Sequence, residues 1–586
     1  MHCSKEKKLK EWYVFSTQRS SMEKKEIIFL SIIMMVVFIG QLSIADRVLF
    51  GDDYIFAGLA EENDFFFREN AHPPLPVWSD IFLTEILPLT NRTMRLTSII
   101  FATLTIALVY FLAKNIVGQR AAWIAALLVG LSAWHIRASQ MNSGSDGGML
   151  TFFFYLTIYF FVQYVETQKT KEIISAGVAF GLTMLSKETS VLLIPTLGFY
   201  YVYVLWKTEK SQQKEECKKA IKNSIGIVLI AGIVWSIFPL LDFIHNNGQS
   251  VNAILERANS AVSEGAAGYS YWFMTAFSTF KLLLWSGPLL FFLPIVCMVK
   301  KKEWKHEWIF IFLIIVSVLF YFIITPPNLD RTRYLMITIP ALAILCAKYI
   351  TQHTEEWKKR EWFLVGVLSI GVFIIFFIIN QHAVVVSYES EQNPIALIKQ
   401  GNLNFSIPVF TETDNSGFLL HFWIFVAVYG ITGLACVFLF AKNKMLGKIA
   451  LIIFLSVSSG YNFIVAEAYG LHWSSPNYSE GIKEIIVYAQ ENDLQEPLYL
   501  LKNYELQWYL RDKYENFVSD YGISETDAVK IEDLKQELEQ HGGTIIFTDM
   551  PPMDKEGLLS QMIHEQCVAE YAVVDKGIEI GLVLSC

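Results

Sequence analysis

Long apolar runs constrain this chain more than any other feature. A helix needs about 20 mainly apolar residues to cross the hydrocarbon of a bilayer, and that ruler finds about thirteen such runs. They lie near 26–45, 93–113, 120–137, 147–165, 172–187, 189–206, 223–241, 282–299, 308–325, 334–350, 362–380, 418–441 and 448–466. Composition agrees: 53% of the 586 residues are hydrophobic and 18% are charged, where soluble domains carry about 25% charge. The 44 Phe, 26 Tyr and 15 Trp add rings of the kind that collect at membrane interfaces. Fibrous, disordered and disulfide-scaffold chains are thereby excluded. The 7 Cys are too scattered for a metal cluster or a stapled framework. Ser43-Ile44-Ala45 could pass for a signal cleavage site, but the segment before the first run is long for a signal n-region, so this run reads as a retained anchor.

The net charge of −9 says little until each charge is assigned a side. With the N-terminus in the cytoplasm, most of the 47 Lys and Arg fall in inside loops. These include Lys5 to Lys25, Lys114 and Arg120, Lys169 and Lys171, the Lys207–Lys222 run, Lys300 to Lys305, Lys348 to Arg360, and Lys442 to Lys448. That asymmetry sets the orientation. The segment 172–206 must supply two short spans, since one kinked helix would put the Lys207–Lys222 run outside. The loops 46–92, 242–281 and 381–417 are the long ones and fall outside, so function is expected on the outer face.

After about residue 466 the pattern changes. Gly481–Glu491 and Ile531–Gln540 read as amphipathic helices; Leu498–Leu501, Thr544–Thr548, Glu570–Val574 and Gly577–Leu584 read as strands. The expected architecture is a polytopic helical membrane domain, 1–466, followed by a small extracytoplasmic α/β domain, 467–586. Folding the last two strands about Asp575-Lys576-Gly577 brings Cys567 and Cys586 opposite each other, which allows a disulfide in an oxidising exterior; two free thiols are the alternative. The domain has no Gly-rich phosphate loop, metal spacing or nucleophile elbow, and reads as a packing or recognition module.

Four polar features recur at the outer ends of runs. Gly51-Asp52-Asp53-Tyr54 is followed by His72-Pro73-Pro74-Leu75; adjacent carboxylates can tune one another into a base, or form a solvated turn. Asp146, with His135 and Arg137 just before it, is a second acidic site or the N-cap of the next span. Lys187-Glu188 sits in a hairpin so tight that both charges approach hydrocarbon depth, where ionisable groups face a cavity or each other. Arg331, Arg333 and Tyr334 put positive charge on the outside, which suits a phosphate or simple pairing with Asp330. Carboxylates and cations on one face suit transfer of a group from a phosphate-bearing donor to a hydroxyl: the carboxylate takes the proton, and the cations stabilise the leaving phosphate.

These residues give the chain a resemblance to a known family. Asp52-Asp53, His72-Pro73-Pro74-Leu75, Arg95-Leu96, Asp146 with Met149-Leu150-Thr151, Gly181 to Glu188, and Arg333-Tyr334-Leu335 with Pro340 resemble the GT-C-fold membrane glycosyltransferases. The likeness is to the protein O-mannosyltransferase and aminoarabinose-transferase group, which use polyprenyl-phosphate sugars. It covers roughly residues 45–340. It implies Asp52 as catalytic base; the family often has Glu second, so Asp53 leaves the choice within the pair open. It implies Asp146 as a residue positioning the acceptor or the pair, and Lys187, Arg331, Arg333 and Tyr334 as the donor-phosphate site. His72, Arg137 and Glu188 are candidates for substrate positioning.

The expected function is an inverting glycosyltransferase in the plasma membrane. Its expected partners are a polyprenyl-phosphate sugar, a hydroxyl acceptor and the bilayer, and no nucleic acid. No cofactor is required by the sequence; a divalent cation is possible, with Asp52 and Asp146 as its ligands. The rivals are a lipid-linked-sugar flippase, which the lack of an internal repeat disfavours, and a non-catalytic sensor, which would leave the outer carboxylates without a role.

Overall fold

The computed structural model describes residues 24–49, 52–63, 73–140, 147–207, 213–249, 251–252, 287–299, 306–324, 332–382, 397, 399, 401–409, 418–440, 443–475, 477–501, 506–520, 528–548, 558–575 and 578–586. Every apolar run contains a helix. In chain order they are α1 (Lys24–Ser43), then two helices of the first long loop, α2 (Asp52–Glu61) and α3 (Leu75–Thr84), then α4 (Asn91–Ile116), α5 (Gln119–Gly130), α6 (Ala133–Ser139), α7 (Gly148–Thr167) and α8 (Thr170–Ser186). They continue with α9 (Leu193–Lys207), α10 (Gln213–Asn246), α11 (Pro288–Val299), α12 (Trp308–Ile324), α13 (Ile339–His353), α14 (Lys359–Gln381), α15 (Phe422–Leu439) and α16 (Lys444–Gly470). Two 3-10 segments, Glu188–Leu192 and Thr332–Thr338, lead into α9 and α13. Among the described residues nine helical stretches are long and apolar enough to cross a membrane. The other four runs hold shorter helices: the run at 120–137 breaks after Gly130, while α8, α11 and α12 have 17, 12 and 17 residues. The chain is a polytopic membrane protein.

Contacts divide the chain into two compact units. The first is Met1–Ala45 with Leu59–Glu356, and the second is Asp46–Gly58 with Trp357–Cys586.

In the first unit, packing resolves how many times 172–206 crosses. A Cβ on Gly177 would lie 2.7 Å from Ile230, and one on Gly181 would lie 2.5 Å from Val234. Four residues along α8 therefore match four along α10, so the two helices run parallel at a backbone-close contact only Gly allows. The intervening α9 must cross back, giving two spans. Its rings agree: Tyr203 meets Trp308 and Phe199 meets Phe312, so α9 and α12 are antiparallel. At the opposite end from Lys187, Glu26 on α1 pairs with Lys114 on α4 at 2.9 Å, and Lys348 pairs with Glu307 at 2.6 Å.

In the second unit, α14 and α16 also run parallel, with Lys448 on Glu361 at 2.7 Å and Gly460 against Val372. At their C-terminal ends Asn380 Nδ2 donates to the Leu419 and Ser474 carbonyls, both at 3.1 Å. Its Oδ1 accepts from His421 N–H at 2.8 Å. Here lies a short hairpin, β1 (Ser406–Val409) and β2 (Phe418–His421).

The C-terminal domain follows: α17 (Tyr478–Glu491), β3 (Leu498–Leu501), α18 (Leu506–Leu510), β4 (Phe517–Asp520), α19 (Ala528–His541), β5 (Thr544–Thr548), α20 (Leu558–Gln566), β6 (Val568–Asp575) and β7 (Ile578–Ser585). The sheet order is β4-β3-β5-β7-β6, with β4, β3 and β5 parallel and β7 and β6 antiparallel to their neighbours. One core holds α17 and α18 on one face, through Ile482, Ile485, Leu506 and Leu510. A second holds α19 and α20 on the other, through Ile531, Leu534, Met562 and Ile563. The four expected strands and two expected helices are present, and β4, α18 and α20 are additions. Val48, far away in sequence, is fully buried in the first of these cores, worth about 2 kcal/mol by area.

Of the two alternatives for Cys567 and Cys586 the structure has the disulfide, with Cα atoms 4.1 Å apart. It spans 19 residues, for which chain-entropy arguments give about 3 kcal/mol. Cys567→Ser is expected to speed amide exchange of β6 and β7 by roughly 10²-fold, converting that energy at about 1.4 kcal/mol per decade. Unchanged exchange would mean that the bridge adds nothing to the sheet.

Candidate active site

The helix directions place several candidate residues at one end of the first unit. Helices α7 and α8 form an antiparallel hairpin through 168–169, so Lys187 at the end of α8 returns to the level where α7 begins. That level is also the start of α4. Gly148 N–H donates to Ser98 Oγ at 3.1 Å, and His135 on α6 meets the Ala102 carbonyl at 3.0 Å. Gly148 is obligatory there, because a Cβ would lie 2.2 Å from the Ser98 carbonyl oxygen and 2.5 Å from Ala102 N.

A buried arginine binds this end together. Arg95 donates from Nε to the Gln140 carbonyl at 2.6 Å and from Nη1 to the Ala45 carbonyl at 3.2 Å. It thus ties the start of α4 to the end of α6 and to the chain just past α1. Charged-group hydrogen bonds of this kind are the strong ones. Thr90 caps α4 by accepting from Thr93 N–H at 3.1 Å, and α3 opens on Pro74-Leu75-Pro76, where a missing N–H does no harm. Trp78 on α3 meets Phe238 near the end of α10, ring centroids 6.2 Å apart, and α3 packs on α4 and α8. The N-terminal parts of α4 and α7 and the C-terminal parts of α8 and α10 therefore share one end.

Arg137 lies on α6 and is fully buried; Lys187 is 4% exposed. The Lys187 backbone is extended, φ −163° and ψ 150°, which separates α8 from the 3-10 segment that Glu188 opens. Glu188 itself is half-buried. Both 3-10 segments pack on α12, and Thr332–Thr338 also packs on α6 and α7. Tyr155 on α7 fixes that segment: its hydroxyl donates to the Ile337 carbonyl at 2.6 Å and accepts from Ala341 N–H at 2.9 Å. The backbone of Arg333 and Tyr334 is thus held beside Arg137's helix; their side chains lie outside the description.

The remaining candidates divide differently. Asp52 opens α2, where a helix N-terminus favours negative charge, and only its backbone is described. Asp53 beside it is 6% exposed. Both fall within Asp46–Gly58, part of the second unit. His72, Asp146 and Arg331 lie outside the described residues. Gly147, with no side-chain cap bond, occupies the N-cap position of α7, which is the position that the capping alternative for Asp146 had in view. Among the described residues no three His, Cys, Asp or Glu side chains gather so as to hold a metal ion. The two ligands a divalent ion would take, Asp52 and Asp146, both have undescribed side chains.

Sequence reading missed the part that Arg95 plays at this end of the first unit and that Arg47 plays in the second. Arg95 was legible only as part of a motif, and Arg47 was overlooked. The signal existed for both, since each is a positive residue at the end of an apolar run where the expected topology disfavours positive charge.

Residues 71–238 match the family model described as dolichyl-phosphate-mannose-protein mannosyltransferase. The fold is similar to that of ArnT from Cupriavidus metallidurans in two crystal structures. In the one bound to undecaprenyl phosphate the TM-score is 0.56 at 14% identity, covering 95% of this chain and 97% of that one. In the apo state the TM-score is 0.54 at the same identity and coverage. No curated protein sequence matches. The resemblance read from the Asp52-Asp53 to Arg333-Tyr334 motifs thus extends to the fold of nearly the whole chain.

Proposed function

We propose that this GT-C-fold membrane protein is an inverting glycosyltransferase. It moves a sugar from a polyprenyl-phosphate donor to a hydroxyl acceptor on the outer face of the membrane. Asp52 takes the proton of the acceptor hydroxyl, with Asp53 the alternative base in the pair. The oxygen attacks the anomeric carbon, the bond from that carbon to the phosphate oxygen breaks, and polyprenyl phosphate leaves with the electron pair. Lys187, Arg331, Arg333 and Tyr334 stabilise the phosphate as its charge develops. Asp146 positions the acceptor or the acidic pair, and His72, Arg137 and Glu188 position substrate.

The observation that carries this reading is the burial of Arg137 and Lys187 at one end of the first unit, beside the start of α7. Two buried cations at one end set a positive field in a low-dielectric setting, and such a field favours a phosphate. The fold likeness to a protein that holds undecaprenyl phosphate supports the same donor class. The bias of Lys and Arg toward one set of loops supports a cytoplasmic N-terminus and an α/β domain outside, and the Cys567–Cys586 disulfide suits an oxidising side.

The test is a panel of polyprenyl-phosphate sugars offered to the purified protein with peptide and glycan acceptors. One donor should yield polyprenyl phosphate and a product of inverted anomeric configuration; retained configuration would overturn the single-displacement chemistry. With that donor, Arg333→Gln should raise KM by roughly tenfold, the weight of one charge-assisted contact, with little change in kcat. An unaltered donor KM would remove Arg333 from the site.

A further inference from the structure

Four consecutive residues just ahead of the acidic pair are fixed one by one. The Asp46 carboxylate accepts from Lys483 Nζ on α17 at 3.2 Å. The Arg47 guanidinium stands 4.1 Å over the Tyr469 ring, donates to the Tyr469 carbonyl, and meets His472 Nε2 at 2.9 Å. Val48 N–H donates to Ser479 Oγ at 2.9 Å, and Leu49 N–H donates to Tyr509 Oη on α18 at 2.7 Å. Both Val48 and Leu49 are fully buried. Three residues later α2 begins at Asp52.

What these groups hold is the main chain. Ordinary packing between a loop and a domain engages side chains and leaves the backbone free to shift. Here two successive N–H groups are bound by hydroxyls whose own positions are set by α17 and α18, elements that share a core with Val48. The end of α16 is equally firm. The N–H groups of Leu471 and His472 close on the Glu467 carbonyl at 2.8 and 2.9 Å, and the buried Glu467 carboxylate accepts from Ser474 N–H at 2.8 Å. His472 takes a left-handed backbone, φ 54°, at the turn where its ring meets Arg47. The chain is thus held up to Leu49, three residues before Asp52 opens α2, and such anchoring supplies the geometric precision that a general base requires.

We propose that the C-terminal α/β domain, with the end of α16, is a positioning platform for the Asp52-Asp53 pair. Ser479, Tyr509, Lys483 and Arg47 are its positioning residues. The proposal rests on the reading of the pair as the catalytic base, and it gives the domain a part in the reaction without a site of its own. It places the determinants of base geometry more than 400 residues away in sequence, at separations of 431 for Val48 to Ser479 and 460 for Leu49 to Tyr509.

The test uses the full-length protein with Ser479→Ala and Tyr509→Phe combined, which removes two hydroxyls and keeps the packing. Misplacement of a catalytic group by about 1 Å lowers turnover by roughly 10²-fold. At saturating donor, kcat should therefore fall by about ten- to a hundredfold while donor KM stays within about twofold. Amide exchange should rise over 52–61 and stay as in the parent over β3 and β5. Ser479→Thr, which keeps the hydroxyl, should retain the parent kcat. Unchanged exchange over 52–61 would overturn the platform whatever the chemistry. Raised exchange with parent kcat, in a background where Asp52→Asn is inactive, would overturn the platform and leave the base standing. Full activity of Asp52→Asn and of Asp53→Asn would remove the base itself, and the platform's function with it.

Discussion

Asp52→Asn is expected to lose turnover by roughly 10³-fold, the middle of the range for removing a general base, while the protein remains in the membrane and binds donor as before. Asparagine keeps the shape and can still accept a hydrogen bond, so α2 should form as it does now. What it lacks is the capacity to take a proton from a hydroxyl whose nucleophilicity depends on losing it. Asp53→Asn separates the two members of the pair. Asp53 is nearly buried and has interactions within the protein, so its neutralisation should lower thermal stability as well as rate. A variant pair in which Asp53→Asn abolishes transfer and Asp52→Asn does not would move the base by one residue. Full activity in both would remove the acidic pair from the chemistry. Steady-state release of polyprenyl phosphate, with donor binding measured separately, decides among these.

Membrane spans and the C-terminal strands were legible because each follows from a local period. Runs of apolar residues locate the helices by length alone, and alternation followed by Asp575-Lys576-Gly577 locates the last hairpin with its disulfide. Parity of basic loops even required two crossings within 172–206, which the parallel packing of α8 and α10 bears out. The sequence was silent on β4 and α18, both of which have too few residues to establish a period. It was equally silent on the platform. Ser479, Lys483 and Tyr509 are ordinary polar residues on an amphipathic domain, and nothing local marks them as partners of a segment near residue 48. Interactions across more than 400 positions have no periodic signature; only the fold brings them together. Arg47 is the exception, since a positive residue there runs against the expected inside bias and prompts the question. Of the candidate site, the sequence supplied the residue types. The hydrogen bonds of Arg95 and Tyr155, which set the backbone beside Arg137 and Arg333, required coordinates.

The second large effect is expected at Lys187. A buried ammonium is a liability to a fold, and replacing a purely structural buried charge with an apolar side chain of similar length is often neutral or stabilising by 1 to about 4 kcal/mol. Lys187→Met therefore separates two roles that most substitutions would confound. If Lys187 serves packing or internal pairing, the variant should be about as stable as the parent or more so, with donor binding untouched. If it meets the donor phosphate, removing a charged partner from a desolvated site should weaken donor binding by roughly 10²-fold, the equivalent of about 3 kcal/mol. The Met variant should in that case be no less stable without donor, yet gain far less thermal stability when donor is added, because ligand stabilisation follows occupancy. Lys187→Arg supplies the counterpart, restoring charge with a larger planar head that fits a phosphate but not the space of an ammonium. Partial recovery of donor binding by Arg and none by Met would establish that charge at this position acts on the donor. Equal donor-induced stabilisation of the parent and the Met variant would place the phosphate elsewhere and leave Lys187 as a buried charge held by its neighbours at the end of α8.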